Sequence, residues 1–447
     1  MATDLAASSG KGAGYAIHIH IPGQRMVTYH RGAALLEHPV PITSRTVFNV
    51  GSVAKQITAH LAVSQVDALP LDRAVSDILP RFQIRDVTLR DLICHHGGVR
   101  DAESMLALAG LRDLDHYTSQ DLLALAYRQT ARAVPRGQFL YSNTGYVLLT
   151  AAIEAAHGSD IQSLSSELIF RRLNMKQTVF KRDASQVIPG SCRAYRRCHG
   201  QDAALSRPVS IAGPGALWTS ATDLERWLAY VSDCWPASAE HHAFGDAVPY
   251  LASDREAGHY GAGLYTAASN PRVVVHHGHE HGFSASTYLT QGGAYVICLS
   301  NNGNLNAAII SEKLVAALAT GTDSLDMLVD TDGFGQLVKG PTLDHSPIQP
   351  MSQHQWLGDF ESVDVPGTIR ITYADGVVHL WRKGTGYRLY PGSSGGSRHF
   401  GPGFHLVAGA DSLRVGFILN MDRAPGLEYK PITAANHPWP PQRTSSD

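Results

Sequence analysis

Residues 46–56 read Thr46-Val47-Phe48-Asn49-Val50-Gly51-Ser52-Val53-Ala54-Lys55-Gln56. From Val53 onward apolar residues recur at Val53, Ile57 and Leu61, with Ala54, Ala62 and Val66 beside them. That i, i+4 spacing predicts a helix with a broad buried face, and Ser52 stands at its start. An i, i+3 pair projects from one helical face, so Ser52 and Lys55 bring a hydroxyl and an ammonium within reach of each other. A serine hydroxyl is a weak nucleophile until a neighbouring base takes its proton, and a lysine serves when burial lowers its pKa toward neutrality. Taken alone, S-x-x-K equally describes an N-cap serine followed by a surface lysine, so the rest of the chain has to decide.

Two further stretches bear on the decision. Tyr141-Ser142-Asn143 follows Pro135-Arg136-Gly137-Gln138-Phe139 and precedes an apolar helix. A phenol there could relay a proton between serine and leaving group, and Asn143 could bond the lysine or a substrate amide. His276-His277-Gly278 ends the apolar run Val273-Val274-Val275. On a strand His276 and Gly278 share a face, placing a polar side chain beside a gap that a substrate backbone can enter. The N–H of His279, paired with that of Ser52, would then form an oxyanion hole.

Outward from these motifs the chain divides. Residues 15–21 carry apolar side chains on odd positions, and after Pro22-Gly23 a second extended run begins near Met26, which predicts a hairpin. Helical patterns follow at 122–127, 146–156, 164–173 and 223–231, strands at 272–276 and 294–299, and a last helix at about 306–318. From 322 to 355 periodicity is lost and Gly, Asp and Pro collect, as in an extended linker. Beyond it, alternating runs at 368–373, 377–381, 387–390 and 413–419, separated by turns such as Asp375-Gly376, predict a small antiparallel barrel. The division is 1–321, a linker 322–355, and 356–447. Gly392 to Ser397 reads as a flexible loop of the barrel, with a lid over the active site as its alternative.

The three motifs, in this order and spacing, resemble the serine beta-lactamase and penicillin-binding-protein superfamily, in its class C-like hydrolase branch. Thr88-Leu89-Arg90-Asp91-Leu92, His95-His96-Gly97-Gly98-Val99-Arg100-Asp101 and Trp218-Thr219-Ser220-Ala221-Thr222-Asp223-Leu224 are similar to stretches of that branch. The resemblance covers roughly residues 14–320. It implies an α+β fold, an antiparallel sheet flanked by helices with a helical subdomain. It also makes Ser52 the nucleophile, Lys55 its base or electrostatic partner, Tyr141 the general acid/base and Asn143 a positioning group. Whether Lys55 or Tyr141 takes the first proton stays open. His276 stands where class C beta-lactamases have lysine, as in D-aminopeptidases, and would orient Tyr141 or the substrate; Gly278 and His279 would border the substrate. D-aminopeptidases also append antiparallel barrels, and the run from Trp356 to about Pro431 resembles one lipocalin-like barrel where the best-known relative has two. The implied activity is hydrolysis of small peptides, amides or esters through an acyl-Ser52 intermediate, without a cofactor. Acyl transfer, peptide cyclisation and a catalytically silent binding protein are the alternatives.

Composition narrows the partners. Lys plus Arg number 37 against 39 Asp plus Glu, so no basic excess attracts nucleic acid or anionic lipid. Hydrophobic residues at 44% and charged residues at 17% fit a compact body, and no apolar run approaches the ~20 residues that span a bilayer. The N-terminus carries no export or transit pattern, and five cysteines without a C-x-x-C are expected to be reduced thiols, which together point to the cytoplasm. His277, His279 and His281 with Glu280 raise a metal site, but without the H-E-x-x-H spacing, so none is assigned; Cys192, Cys198 and His199 read as structural. A small-molecule or peptide substrate is the expected partner, and a homo-oligomer is compatible with an appended barrel.

Overall fold

The computed structural model describes residues 3–4, 12–65, 68–106, 108–111, 115–234, 249–251, 257–267, 270–319, 356–374, 376–391, 398–401, 404–408 and 416–432. The expected linker 322–355, the loop 392–397 and the opening of the 413–419 run lie outside these residues.

Alternation in the first hairpin sets up a three-layer body. Tyr15–His20 pairs antiparallel with Val27–Arg31 on one side and with Tyr295–Ser300 on the other. Tyr15, Ile17 and Ile19, with Val296 and Cys298, pack against Ala307, Ile310 and Leu314 of the helix Ala307–Ala319. The alternate residues, Ala16, Ile297 and Leu299, face the larger core with Ile57, Leu61, Leu224 and Trp227. The sheet is therefore buried on both faces, with Ala54–Ser64 and Ala221–Cys234 supplying the opposite layer. It continues through Phe283–Thr290, Asn270–Glu280, Leu264–Ala267, Ala257–Gly261 and Pro249–Leu251.

Phe283–Thr290 is central to this sheet, yet polar residues share its buried positions with Phe283, Ala285 and Leu289. Ser284, Ser286 and Thr287 are buried on it, and Thr287 Oγ1 accepts from Gln56 Nε2 at 2.9 Å. The helical expectations hold in place with shifted ends: Ser119–Ala126, Asn143–His157 and Ala221–Cys234. The expected helix 164–173 instead begins at Ile161 and widens after Ser165 into one π turn, where Arg171 N–H bonds Ser166 O. No helix among the described residues is long and apolar enough to cross a membrane.

The C-terminal strands, from Gly358–Glu361 to Ala424–Pro431, close on themselves as an antiparallel barrel. Phe360, Leu380, Leu406, Phe417, Leu419 and Leu427 are all nearly inaccessible and form its core. Two arginines fasten it to the larger N-terminal body. Arg382, from the barrel, donates to Leu108 O and Ala109 O across the junction and to Pro366 O and Thr368 O within the barrel. Arg100, from the other side, donates to Pro425 O at 2.7 Å and Gly426 O at 3.0 Å. Arg382→Met removes a charged donor from four carbonyls at once and is expected to cost about 2–4 kcal/mol, read as a lower Tm and denaturation midpoint. An unchanged Tm would show that these contacts do not hold the barrel in place.

Candidate active site

The turn that carries Ser52 is built by a close approach of backbone to backbone. Strand Val47–Asn49 runs into a 3-10 turn at Gly51–Val53, and the α-helix begins only at Ala54. Ser52 thus sits in the turn before the helix. Gly51 has φ +49°, and a Cβ on it would lie 2.9 Å from the His279 nitrogen. Gly278 is tighter still, since a Cβ there would stand 1.9 Å from Val50 O and 3.0 Å from Ser52 N. The strand Asn270–Glu280 therefore lies directly on this turn, with the backbone of Gly278 and His279 beside Ser52.

Lys55 has no solvent exposure. Its ammonium donates to Ser52 Oγ at 3.1 Å, Asn143 Oδ1 at 2.7 Å and Pro214 O at 2.8 Å, which satisfies all three N–H bonds. The rings of Tyr141 and Tyr146 lie 5.0 and 5.4 Å away. Burial lowers the Lys55 pKa to about 7, while the carboxylates of Glu103 and Asp101 act to raise it. Burial raises the Tyr141 phenol above its usual range, and a hydrogen bond with Ser52 opposes that rise.

Asn143 opens the helix Asn143–His157, whose N-cap Ser142 accepts from Gly145 N–H. Its amide is oriented from behind: Nδ2 donates to Glu103 Oε2 at 2.7 Å, and Tyr117 OH donates to Glu103 Oε1 at 2.9 Å. Glu103 lies on the short helix Ala102–Met105, capped by Asp101. Burial and the neighbouring Glu103 push the Asp101 carboxyl up to about 6.

His276 is brought to the site, but not onto Tyr141. Its Nδ1 faces His277 O at 2.7 Å and therefore carries the proton, leaving Nε2 to accept from Tyr260 OH at 3.2 Å. The Tyr141 ring lies 6.5 Å away, and Tyr260 stands as the intermediary. Burial lowers the His276 pKa well below its ordinary value, and the Lys55 charge adds to this. His95 is neutral for the same two reasons; its ring lies 4.3 Å from that of Tyr141, and its Nδ1 accepts from Ser142 N–H.

The resulting cleft has a volume of about 940 Å³ and is lined by Ser52, Tyr141, Asn143, His276 and His279. Glu103, Arg207 and Arg423 line it as well and were not singled out from the sequence, and so does Glu280, which the sequence raised only as a metal ligand. Glu280 is pushed up to about 7 by burial, with Arg207 at 3.9 Å. Arg423 comes from the barrel, more than 280 residues from Tyr141, and no local pattern announces it. Among the described residues, no three His, Cys, Asp or Glu group as metal ligands would.

An antiparallel sheet between helical layers, with a serine on a strand-to-helix turn and a caged lysine in the helix that follows, is the arrangement of a serine hydrolase. Residues 3–320 match the Beta-lactamase family, and the chain belongs to it. Penicillin-binding protein 4 of Amycolatopsis lactamdurans is 29% identical over 185 residues, covering 36% of this chain and 45% of that protein. A D-aminopeptidase of Cereibacter sphaeroides is 24% identical over 308 residues, covering 66% of this chain and 58% of its own. The matches thus span about half the length of these relatives. An octameric penicillin-binding protein homologue from Pyrococcus abyssi shares the fold over 94% of this chain and 96% of its own, with a TM-score of 0.61 at 19% identity.

Gly278→Ala is expected to force the strand off Val50, lowering Tm by several degrees and abolishing labelling of Ser52 by a fluorophosphonate probe. Wild-type Tm and labelling in that variant would refute the close approach.

Proposed function

We propose that the chain is a serine hydrolase that cleaves amide or ester bonds of small peptides containing a D-residue, through an acyl-Ser52 intermediate. The observation that carries this reading is Lys55, fully enclosed, with Nζ 3.1 Å from Ser52 Oγ and a pKa of about 7. A neutral Lys55 takes the Ser52 proton as Oγ adds to the substrate carbonyl, and the N–H groups of Ser52 and His279 face the developing oxyanion. Tyr141, bonded to Ser52 and held protonated by burial, gives its proton to the leaving nitrogen or oxygen, and the lysinium restores it. Water then releases the acid by the reverse sequence. Asn143 keeps Lys55 in place, and His276 acts on the cleft through Tyr260. No cofactor enters these steps.

The preference for D-residues rests on the similarity to D-aminopeptidases. We place the catalytic body at 1–321, the linker at 322–355 and a lipocalin-like barrel at 356–447, and a homo-oligomer fits this reading. Acyl transfer to an amine would use the same residues, and no particular feature of the cleft favours it.

Ser52→Ala should lower kcat/KM on D-amino acid amides at least about 10³-fold while leaving circular dichroism and Tm unchanged, and the wild type should show an acyl adduct on Ser52 by intact mass. Near-normal turnover in the variant would end the mechanism. Because only the neutral amine accepts the proton, kcat/KM should fall about tenfold per pH unit below about 7 and level off above it. The acid limb should persist in Glu280→Gln, which removes the other group titrating near 7. A flat profile between pH 5.5 and 8.5 would exclude Lys55 as the base.

A further inference from the structure

His95 holds the segment on which Tyr141 stands. It follows the helix Leu89–Ile93 and its C-cap Cys94, and it is buried with φ +58°. Left-handed backbone disfavours a residue with a Cβ, and a buried imidazole needs polar partners. A glycine would satisfy the backbone alone, so the position is explained by what the imidazole does. The His95 carbonyl accepts from Leu140 N–H at 2.9 Å, and Nδ1 accepts from Ser142 N–H at 3.1 Å. These are the residues on either side of Tyr141. The imidazole also lies 4.3 Å from the Tyr141 ring, centre to centre, so one residue bonds the backbone before and after Tyr141 and packs on the ring between. Both ends of this clamp are anchored: Tyr146 OH donates to Ile93 O at 3.0 Å, and Ser142 Oγ accepts from Gly145 N–H at 3.0 Å.

We propose that His95 is a positioning residue for the proton donor: by fixing the peptide groups on both sides of Tyr141, it keeps the phenol hydroxyl on Ser52 and within reach of the leaving atom. The inference deepens the hydrolase reading above and rests on its assignment of Tyr141. Three observations lead to it. First, the cations over the Tyr141 ring do not set its direction. Lys55 Nζ lies 5.0 Å from the ring centre, and the guanidinium of Arg423, on the barrel turn between Phe417–Met421 and Ala424–Pro431, lies 5.2 Å from it. A cation is attracted to the ring face however the hydroxyl points in the ring plane, whereas bonded backbone on both sides fixes where the side chain starts and how it is aimed. Second, the clamp needs the imidazole in one form. An imidazole that accepts at Nδ1 carries its proton on Nε2, and an imidazolium has no acceptor for Ser142 N–H. Burial and the Lys55 charge keep His95 neutral, so the cleft imposes the form that the clamp requires. Third, proton donation is steep in geometry. As the carbon–nitrogen bond breaks, its electron pair stays on nitrogen and takes the Tyr141 proton, and a misplacement of about 1 Å costs about 10²-fold in rate.

The test uses three full-length variants. His95→Asn places Oδ1 where the imidazole has Nδ1, and asparagine tolerates left-handed backbone. His95→Phe keeps a ring without an acceptor, and His95→Gln moves the amide to the Nε2 position, so both leave Ser142 N–H unpaired. The readout is kcat/KM, which reports acylation, on D-alanine amide and on D-alanine p-nitrophenyl ester, whose leaving group departs as an anion without a proton donor. In His95→Phe the amide should lose at least about 30-fold and the ester less than about threefold, while His95→Asn stays within about fivefold of wild type on both. A merely structural role would lower both substrates alike. Equal losses on the two, wild-type amide cleavage in His95→Phe, or an asparagine variant no better than phenylalanine would overturn the proposal. If His95→Phe does not fold, His95→Gln takes its place with the same expectations. Crystal structures add a readout that needs no turnover: the Tyr141 hydroxyl should stay on Ser52 in His95→Asn and shift by about 1 Å or more in His95→Phe or His95→Gln. An unmoved hydroxyl in the latter two would also overturn the proposal. Failure of the hydrolase reading would show separately, as absence of an acyl adduct on wild-type Ser52, and the crystal structures would then decide the positioning role alone.

Discussion

The cleft depends on the enclosure of one amine. A lysine removed from water needs an acceptor for each N–H, and here the three acceptors come from separate parts of the chain: Ser52 from the turn before the helix, Asn143 from the helical subdomain and Pro214 from a loop. The amine therefore fixes the relative position of these segments as much as they fix it. Asn143 cannot rotate away without abandoning Glu103, and Glu103 is held in turn by Tyr117. The cost of burying the charge is what brings its pKa toward neutrality, so the same desolvation that makes Lys55 a structural centre makes it competent to accept a proton.

Walls of low polarity maintain that desolvation. Tyr141, Tyr146, Tyr260 and His95 form a continuous ring cluster, with centroid separations of 4.3 Å for His95–Tyr141, 5.1 Å for His95–Tyr146 and 4.6 Å for His95–Tyr260. His95 in this cluster, and His276 beside Tyr260, would compete with Lys55 if they carried charge. Burial beside the ammonium keeps both neutral, so neither carries a proton in competition with Lys55.

Local periodicity revealed the elements whose signals are local. The first hairpin and the helix after Ser52 show alternation or i, i+4 spacing, and the structure contains them with shifts of a few residues. The strand Phe283–Thr290 escaped because Ser284, Ser286 and Thr287 are buried among its apolar residues, with Thr287 satisfied by Gln56, a partner that only the fold brings near. The exposed hairpin of Ala194–Cys198 and Gln201–Leu205 escaped for the opposite reason: it has little buried face to pattern, and its turn is made by residues in positive φ, His199 and Gly200. Ser52, Lys55, Tyr141, Asn143 and His276 lie in short motifs; the structure brings Ser52, Tyr141, Asn143 and His276 to one pocket, with Lys55 enclosed behind Ser52 and Asn143 and with His276 bonded to Tyr260. Glu103, Arg207 and Arg423 reach the cleft through contacts across long sequence separations, which no window on the chain reveals, and Glu280, next to His279, was visible only as a candidate metal ligand.

The barrel is joined to the cleft through the segment that also orients the lysine. Arg100 and Asp101 are adjacent: the first binds the carbonyls of Pro425 and Gly426, and the second holds the backbone and side chain of Arg423 while capping the helix of Glu103. Arg100 N–H is itself fixed by Gln129, and Ala102 N–H by Thr144, the neighbour of Asn143. A displacement of the barrel turn would therefore reach Lys55 by two short routes, through Asp101 to Glu103 and Asn143, and through Arg423 to Tyr141. Rigid hydrogen-bonded contacts of this kind transmit position better than an apolar interface that can slide. With an interior filled by Phe360, Leu380, Phe417 and Leu419, the barrel is a scaffold for its edge turn, and its contribution to the cleft is made at that turn.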